Sequence, residues 1–151
     1  MSVWGYISKT MLLIFLGAGA FIDAKTKKIP VLYAVIGAAA GVALKIFEGN
    51  LDIFQTAGGF LVGVILYLLS IISKQAIGSG DGMVLAVTGI VLGFMGNIIL
   101  LFSSLLAAGL YSGLMLALKK IKKKSSIPFI PFMLLGYDVL LIVFSLNMWD
   151  I

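Results

Sequence analysis

The uncharged stretch MVLAVTGIVLGFMGNIILLFSSLLAAGLYSGLMLAL, residues 83–118, decides the fold. As a single α-helix it would be about 54 Å long at about 1.5 Å per residue, whereas the hydrocarbon core of a bilayer is about 30 Å thick. The stretch is therefore expected to fold back on itself. The strongest turn formers near a suitable place are Gly93, Gly96 and Asn97. This pattern predicts a short fourth membrane span followed by a fifth over about 98–118.

The rest of the chain has the composition of a membrane protein. Of its 151 residues, 62% are hydrophobic and 11% are charged, whereas soluble domains average roughly 45–50% apolar and about 25% charged residues. Further apolar stretches of spanning length lie at about 4–22, 31–47, 54–73 and 128–146. The sequence thus predicts an all-α polytopic membrane protein with about six transmembrane helices, forming one domain over 1–151. Lysines follow the first stretch rather than precede it, so it is expected to be a retained helix and not a cleaved signal.

The lysines predict the orientation of these helices. With six spans, nine of the eleven basic residues fall in loops on one side, namely Lys25, Lys27, Lys28, Lys74, Lys119, Lys120, Lys122, Lys123 and Lys124. The positive-inside rule places that side in the cytoplasm and both termini outside. Because these lysines lie between apolar spans, they indicate a basic membrane face in contact with anionic lipid and not a nucleic-acid-binding surface.

Several kinds of chemistry are excluded by composition. The chain has neither cysteine nor histidine, so disulfides, thiolate or histidine metal sites, and Ser-His or Cys-His catalysis are ruled out. No metal or other cofactor is expected. Catalysis would have to use the six acids, the lysines, hydroxyl groups or the backbone.

Two acids fall on the predicted cytoplasmic side. Asp23 ends the first span, where it would be an ordinary interfacial acid paired with Lys27 one helical turn on. Asp81 lies in Gly78-Ser79-Gly80-Asp81-Gly82, which taken alone favours a flexible turn whose Asp caps the next helix. The functional interpretation is that the glycines leave the carboxylate unshielded, so that a substrate strand could lie beside it.

Together the two acids indicate a catalytic pair. Two carboxylates brought close in a low-dielectric site cannot both ionise, so one keeps a proton. The charged carboxylate accepts a proton from water while the neutral one donates to the peptide carbonyl. This is the division of labour of aspartic proteases, and it requires no histidine, cysteine or metal.

A third acid, Asp138, lies about 15 Å into the last span. Intramembrane acids are costly and are candidate functional residues. The alternative is a protonated or hydrogen-bonded acid that stabilises helix packing, with Tyr137, Lys45 or serines as partners.

Three segments, in this order, resemble the type IV prepilin peptidases, and in particular the small members without a methyltransferase domain. They are Asp23-Ala24-Lys25-Thr26-Lys27-Lys28-Ile29-Pro30, then Gly78-Ser79-Gly80-Asp81, then Ile127-Pro128-Phe129-Ile130-Pro131-Phe132. The chain departs from the family pattern at Val31, Met83 and Ile130, and none of these departures removes a carboxylate. The resemblance implies GxGD-type intramembrane aspartyl proteolysis by Asp23 and Asp81, supported by Lys27, Pro30, Gly78, Gly80, Pro128 and Phe129.

The resemblance also implies the substrate. The enzyme would cleave the basic leader from prepilin-like precursors of pilus or secretion systems at the cytoplasmic face of the cell membrane. Methyltransferase activity is not expected, because the longest cytoplasmic loop has about ten residues and is too short to enclose a cofactor pocket. Two alternatives stay open: a GxGD protease with other substrates, and a non-enzymatic assembly or transport module whose main polar site is Asp138.

Overall fold

The computed structural model describes residues 3–49, 51–73, 78–120 and 127–145. Their regular secondary structure is α-helical and forms five elements: α1 (Val3–Thr26), α2 (Val31–Glu48), α3 (Ile53–Ile72), α4 (Ser79–Ala117) and α5 (Ile130–Ser145). The first four are long and apolar enough to cross a membrane, which confirms an all-α polytopic membrane protein. The 16-residue α5 is shorter, and the count of six spans stays a prediction.

The chain reverses direction inside α4 at Gly93, as the uncharged stretch predicted. Gly93 has φ 74° and ψ −177°, a conformation that side chains disfavour and glycine tolerates. The side-chain amide of Asn97 donates to the carbonyl oxygen of Leu85 at 2.9 Å, across 12 residues. A continuous helix would separate those residues by about 18 Å along its axis. The first arm of α4 (79–92) and its second arm (94–117) therefore lie side by side.

The first arm packs against α3 almost backbone to backbone. A Cβ atom added at Gly63 would lie 2.1 Å from the backbone nitrogen of Ala86, and one at Gly59 would lie 2.2 Å from the carbonyl oxygen of Gly89. Small residues permit this approach, which drives helix association in lipid. Asn97 stabilises the contact between α3 and α4, because its side-chain amide also donates a hydrogen bond to the carbonyl oxygen of Gly59 at 3.0 Å.

The remaining helices surround the two arms. α5 runs antiparallel to α1, and the Tyr137 hydroxyl donates to the carbonyl oxygen of Lys9 at 3.0 Å. α2 packs on the first arm, where the missing side chain of Gly41 makes room for Val91. As a result, the end of α1 and the starts of α2, α4 and α5 meet at one end of the bundle.

Candidate active site

Asp23 lies in the last turn of α1, because this helix continues beyond the predicted end at residue 22. The helix stops after Thr26, where Lys27 adopts φ 53° and its N–H donates to the carbonyl oxygen of Asp23 at 2.8 Å. Pro30 disfavours any further helix through Ile29. Asp23 is only 6% exposed, so its interpretation as a solvated interfacial acid is wrong.

The Asp23 carboxylate caps the start of α5. The backbone N–H of Ile130 donates to Asp23 Oδ2 at 3.1 Å, and the backbone of Phe129 makes a second such contact. The residues before α5, Ile127, Pro128 and Phe129, carry no side-chain oxygen that could cap it. The N-terminal end of a helix carries a partial positive charge. Asp23 is therefore bound by an electropositive helix end from the opposite end of the sequence.

The charge state of Asp23 reflects two opposing influences. Burial disfavours its charged form, whereas the N–H groups of α5 and the positive charge of Lys27 favour it. Lys27 lies in the turn that follows Asp23.

Asp81 lies in the first turn of α4 and not at its cap. The cap residue is Gly78, whose carbonyl oxygen accepts from the Asp81 N–H at 3.2 Å. A Cβ atom at Gly78 would come within 2.7 Å of Asp81 Oδ2. Glycine at this position therefore leaves room for the carboxylate, and the interpretation of Asp81 as the helix cap is wrong.

The other two glycines of the motif fix the position of this turn. A Cβ atom at Gly80 would lie 2.9 Å from Cγ1 of Ile29, and one at Gly82 would lie 2.5 Å from the backbone nitrogen of Tyr67. Ile29 is buried and belongs to the turn that follows Asp23. The motif is thus held between α3 on one side and the Asp23 turn on the other.

This packing brings the two acids into one site. The negative charge of Asp23 acts on the Asp81 carboxyl group, although the two residues lie on different helices. Burial and the neighbouring charge of Asp23 both disfavour the charged form of Asp81, whereas the N–H groups of α5 favour the charged form of Asp23. A like-charge pair in such surroundings holds one proton between its members, so it can accept a proton at one oxygen and donate one at another.

Asp138 is not part of this pair. It follows Ile130 by eight residues, or about 12 Å along α5. Two of its expected partners are engaged elsewhere: Tyr137 bonds to Lys9, and Lys45 pairs with Glu48 at 3.5 Å.

The other motif residues flank the pair. Pro30 is the cap residue of α2, and Pro128 and Phe129 directly precede α5. Of the lysine cluster before α5, Lys119 and Lys120 are described, while Lys122, Lys123 and Lys124 lie outside the described residues, as does Lys74.

Sequence reasoning assigned no role in the site to three residues that shape it, namely Ile29, Tyr67 and Ile130. One signal for Ile130 was available. A helix preceded by Ile127-Pro128-Phe129 has no capping side chain of its own and needs an acceptor from elsewhere.

The fold and the site define a polytopic membrane protein with a pair of interacting carboxyl groups at one end of its helix bundle. The model of the type IV leader peptidase family matches residues 10–113, and the chain belongs to this family. The matched part includes Asp23 and Asp81 and ends before α5. Searches of curated proteins and of solved structures gave no match. Membership makes the protein a leader-peptidase-like protease of the membrane.

Proposed function

We propose that the protein is an aspartyl endopeptidase that removes the leader from type IV prepilin-like precursors at the cytoplasmic face of the cell membrane. The proposal rests on the packing of the Asp81 turn against the Asp23 turn through Gly80 and Ile29. This packing leaves the two carboxyl groups close enough to influence each other electrostatically. Family membership supports the peptidase class, and the nine-to-two distribution of lysines supports the cytoplasmic side and the external termini.

The two carboxyl groups have different tasks. The Asp23 carboxylate accepts hydrogen bonds from N–H groups at the start of α5 and lies near the positive charge of Lys27. It is therefore the charged member of the pair and acts as the general base. Asp81 lacks such contacts among the described residues and lies next to the charge of Asp23. It keeps the shared proton and is the general acid.

In the first step, Asp23 accepts a proton from a water molecule, and the water oxygen attacks the carbonyl carbon of the scissile peptide. Asp81 donates its proton to the carbonyl oxygen, which gives a tetrahedral diol. In the second step, Asp81 takes a proton back from a diol hydroxyl, and Asp23 passes its proton to the leaving amide nitrogen. The C–N bond breaks, releasing one carboxyl and one amine product and restoring the starting charges.

The test is cleavage of a prepilin-like precursor by purified protein in liposomes, followed by the mobility shift that loss of the leader produces. Asp23→Asn and Asp81→Asn should each abolish cleavage, since the amide can neither accept the water proton nor supply an acidic one. Asn at position 23 still offers an oxygen to the Ile130 N–H, so α5 stays capped.

Asp52→Asn is the matched control. Asp52 caps α3 by accepting from the N–H groups of Phe54 and Gln55 at 3.0 and 3.2 Å, and Asn is an equally good cap. This variant should cleave at the wild-type rate. Full cleavage by either dyad variant would exclude the mechanism. Cleavage of signal peptides or lipidated precursors, but of no pilin precursor, would be consistent with the proposed catalytic pair and would contradict the proposed substrate.

A further inference from the structure

A membrane-facing groove separates α2 from α3. Among the described residues these two helices do not contact each other, and both pack on α4. The first arm of α4 forms the floor of the resulting groove, which encloses about 720 Å³. Its walls and floor consist of Val31, Ala34, Val35, Ala38, Ala39, Val42, Phe60, Gly63, Val64, Tyr67, Gly82, Met83, Ala86 and Val87.

The lining selects for an apolar occupant. None of its residues is charged, and the Tyr67 hydroxyl is its one polar side-chain group. An extended peptide would leave backbone N–H and C=O groups without partners in these surroundings, whereas a helix satisfies them internally. Six lining residues are glycine or alanine, and small residues let a neighbouring helix approach closely in lipid.

The groove begins beside the candidate active site. Gly82 and Met83 line it and directly follow Asp81 in the chain. From there it runs along α2 from Val31 to Val42, about eleven residues or about 17 Å of helix. A peptide bond held at the dyad would therefore have its membrane-embedded flank in the groove and its leader beyond the end of the bundle.

We propose that this groove is the binding site for the apolar helix that follows the scissile bond of the substrate, and that this helix enters sideways from the lipid between α2 and α3. The inference rests on the proposed function, which supplies the scissile bond. The helix ends where the groove reaches Gly82, the residue after Asp81, so the peptide bond to be cut lies at the point where the chain leaves the apolar lining. About three helical turns of substrate fit along the groove.

The chain has no cysteine, so a single introduced thiol is the only one in the protein that can form a disulfide crosslink. Ala39→Cys places one thiol in the groove, about 12 Å along α2 from Val31. Ile14→Cys is the control, since Ile14 is 66% exposed on α1 and lies about 14 Å along that helix from Asp23. Both are made in an Asp81→Asn background and reconstituted with a prepilin-like precursor carrying one cysteine about eight residues after its cleavage site. Oxidation should crosslink the precursor to Ala39→Cys about tenfold more than to Ile14→Cys.

A bulky side chain tests the same groove by kinetics. In the active protein, Ala39→Trp should raise KM for cleavage about tenfold while kcat changes less than about threefold, because substrate binding is obstructed and the dyad is not. Ile14→Trp should leave both constants unchanged.

The outcomes separate the groove from the proposed function. Equal crosslinking of the two cysteine variants, as expected if lipid fills the groove, would overturn the inference, as would crosslinking of Ala39→Cys only to a second copy of the protein. If the wild type cleaves the precursor and Ala39→Trp does so with unchanged KM, the proposed role of the groove is refuted and the proposed peptidase activity is not. If the wild type cleaves no precursor, the proposed function fails, whereas the crosslinking result still reports on the groove.

Discussion

Gly80→Ala tests whether the contact between the GxGD turn and the Asp23 turn sets the geometry of the dyad. The new Cβ atom would lie 2.9 Å from Ile29 Cγ1 and 3.0 Å from Ile29 Cβ. These atoms adjoin the Ile29 backbone and cannot swing away, so the two turns must separate by about 0.5–1 Å to restore ordinary carbon contacts of about 3.5–4.0 Å.

The expected effect is a loss of activity without a loss of fold. A misplacement of about 1 Å costs about 100-fold in rate, so kcat for leader cleavage should fall about 10- to 100-fold, equivalent to about 1.4–2.8 kcal/mol. Helical content by circular dichroism should not change, because alanine favours a helix over glycine by about 1 kcal/mol.

Gly109→Ala, in the second arm of α4, is the control, since a Cβ atom there meets nothing within 4 Å. Both variants are assayed in liposomes with the same precursor at saturating concentration, and the thermal midpoint of each is recorded. If Gly80→Ala cleaves within about twofold of Gly109→Ala, a displacement of this size does not matter to the chemistry, and the argument from the Ile29 contact is refuted.

Three further predictions concern the pair and its surroundings. The rate of cleavage should follow a bell-shaped pH profile with two apparent pKa values that belong to the pair of carboxyl groups. Activity is lost at low pH because both carboxyl groups are protonated, and at high pH because both are charged. A flat profile, with chemistry as the rate-limiting step, would contradict the shared proton. In the variant Lys120→Cys, the cysteine should not react with a membrane-impermeant maleimide added outside intact cells, because the lysine cluster is predicted to be cytoplasmic. Labelling from outside would refute the prediction of six spans. Purified protein given precursor and S-adenosylmethionine should release a shortened product of unmethylated mass by mass spectrometry, and an added methyl group would overturn the prediction of peptidase activity alone.

Hydropathy predicted most of the fold because lipid constrains helix length so strongly. The bounds of α1, α2 and α3 lie within a few residues of the predicted spans, and the reversal falls at Gly93, as the length of the uncharged stretch required. The α3 contact was less accessible. Gly59 and Gly63 are a plain small-residue pattern in sequence, and only the partner backbone identifies their role.

The sequence singled out the two acids of the candidate site and not the residues that support them. Asp23 and Asp81 stood out because composition removed the other catalytic groups. The donation from Ile130 to Asp23 spans 107 residues, and no local pattern encodes such a distance. The groove could not be predicted from the sequence either. It exists because α2 and α3 do not contact each other, whereas hydropathy indicates only that each helix is apolar.

The cap on Asp23 has a consequence for biosynthesis. A ribosome makes Asp23 first and Asp81 on α4 later, but the N–H groups that hold the Asp23 carboxylate belong to Phe129 and Ile130, and Ile130 follows Asp23 by 107 residues. Until the start of α5 has been translated and inserted, Asp23 lacks these donors. The support of the candidate site is thus completed only when α5 is in place. Before then, the nascent chain has already passed Asp23 and Asp81 through the membrane-insertion machinery, among other unfolded membrane segments.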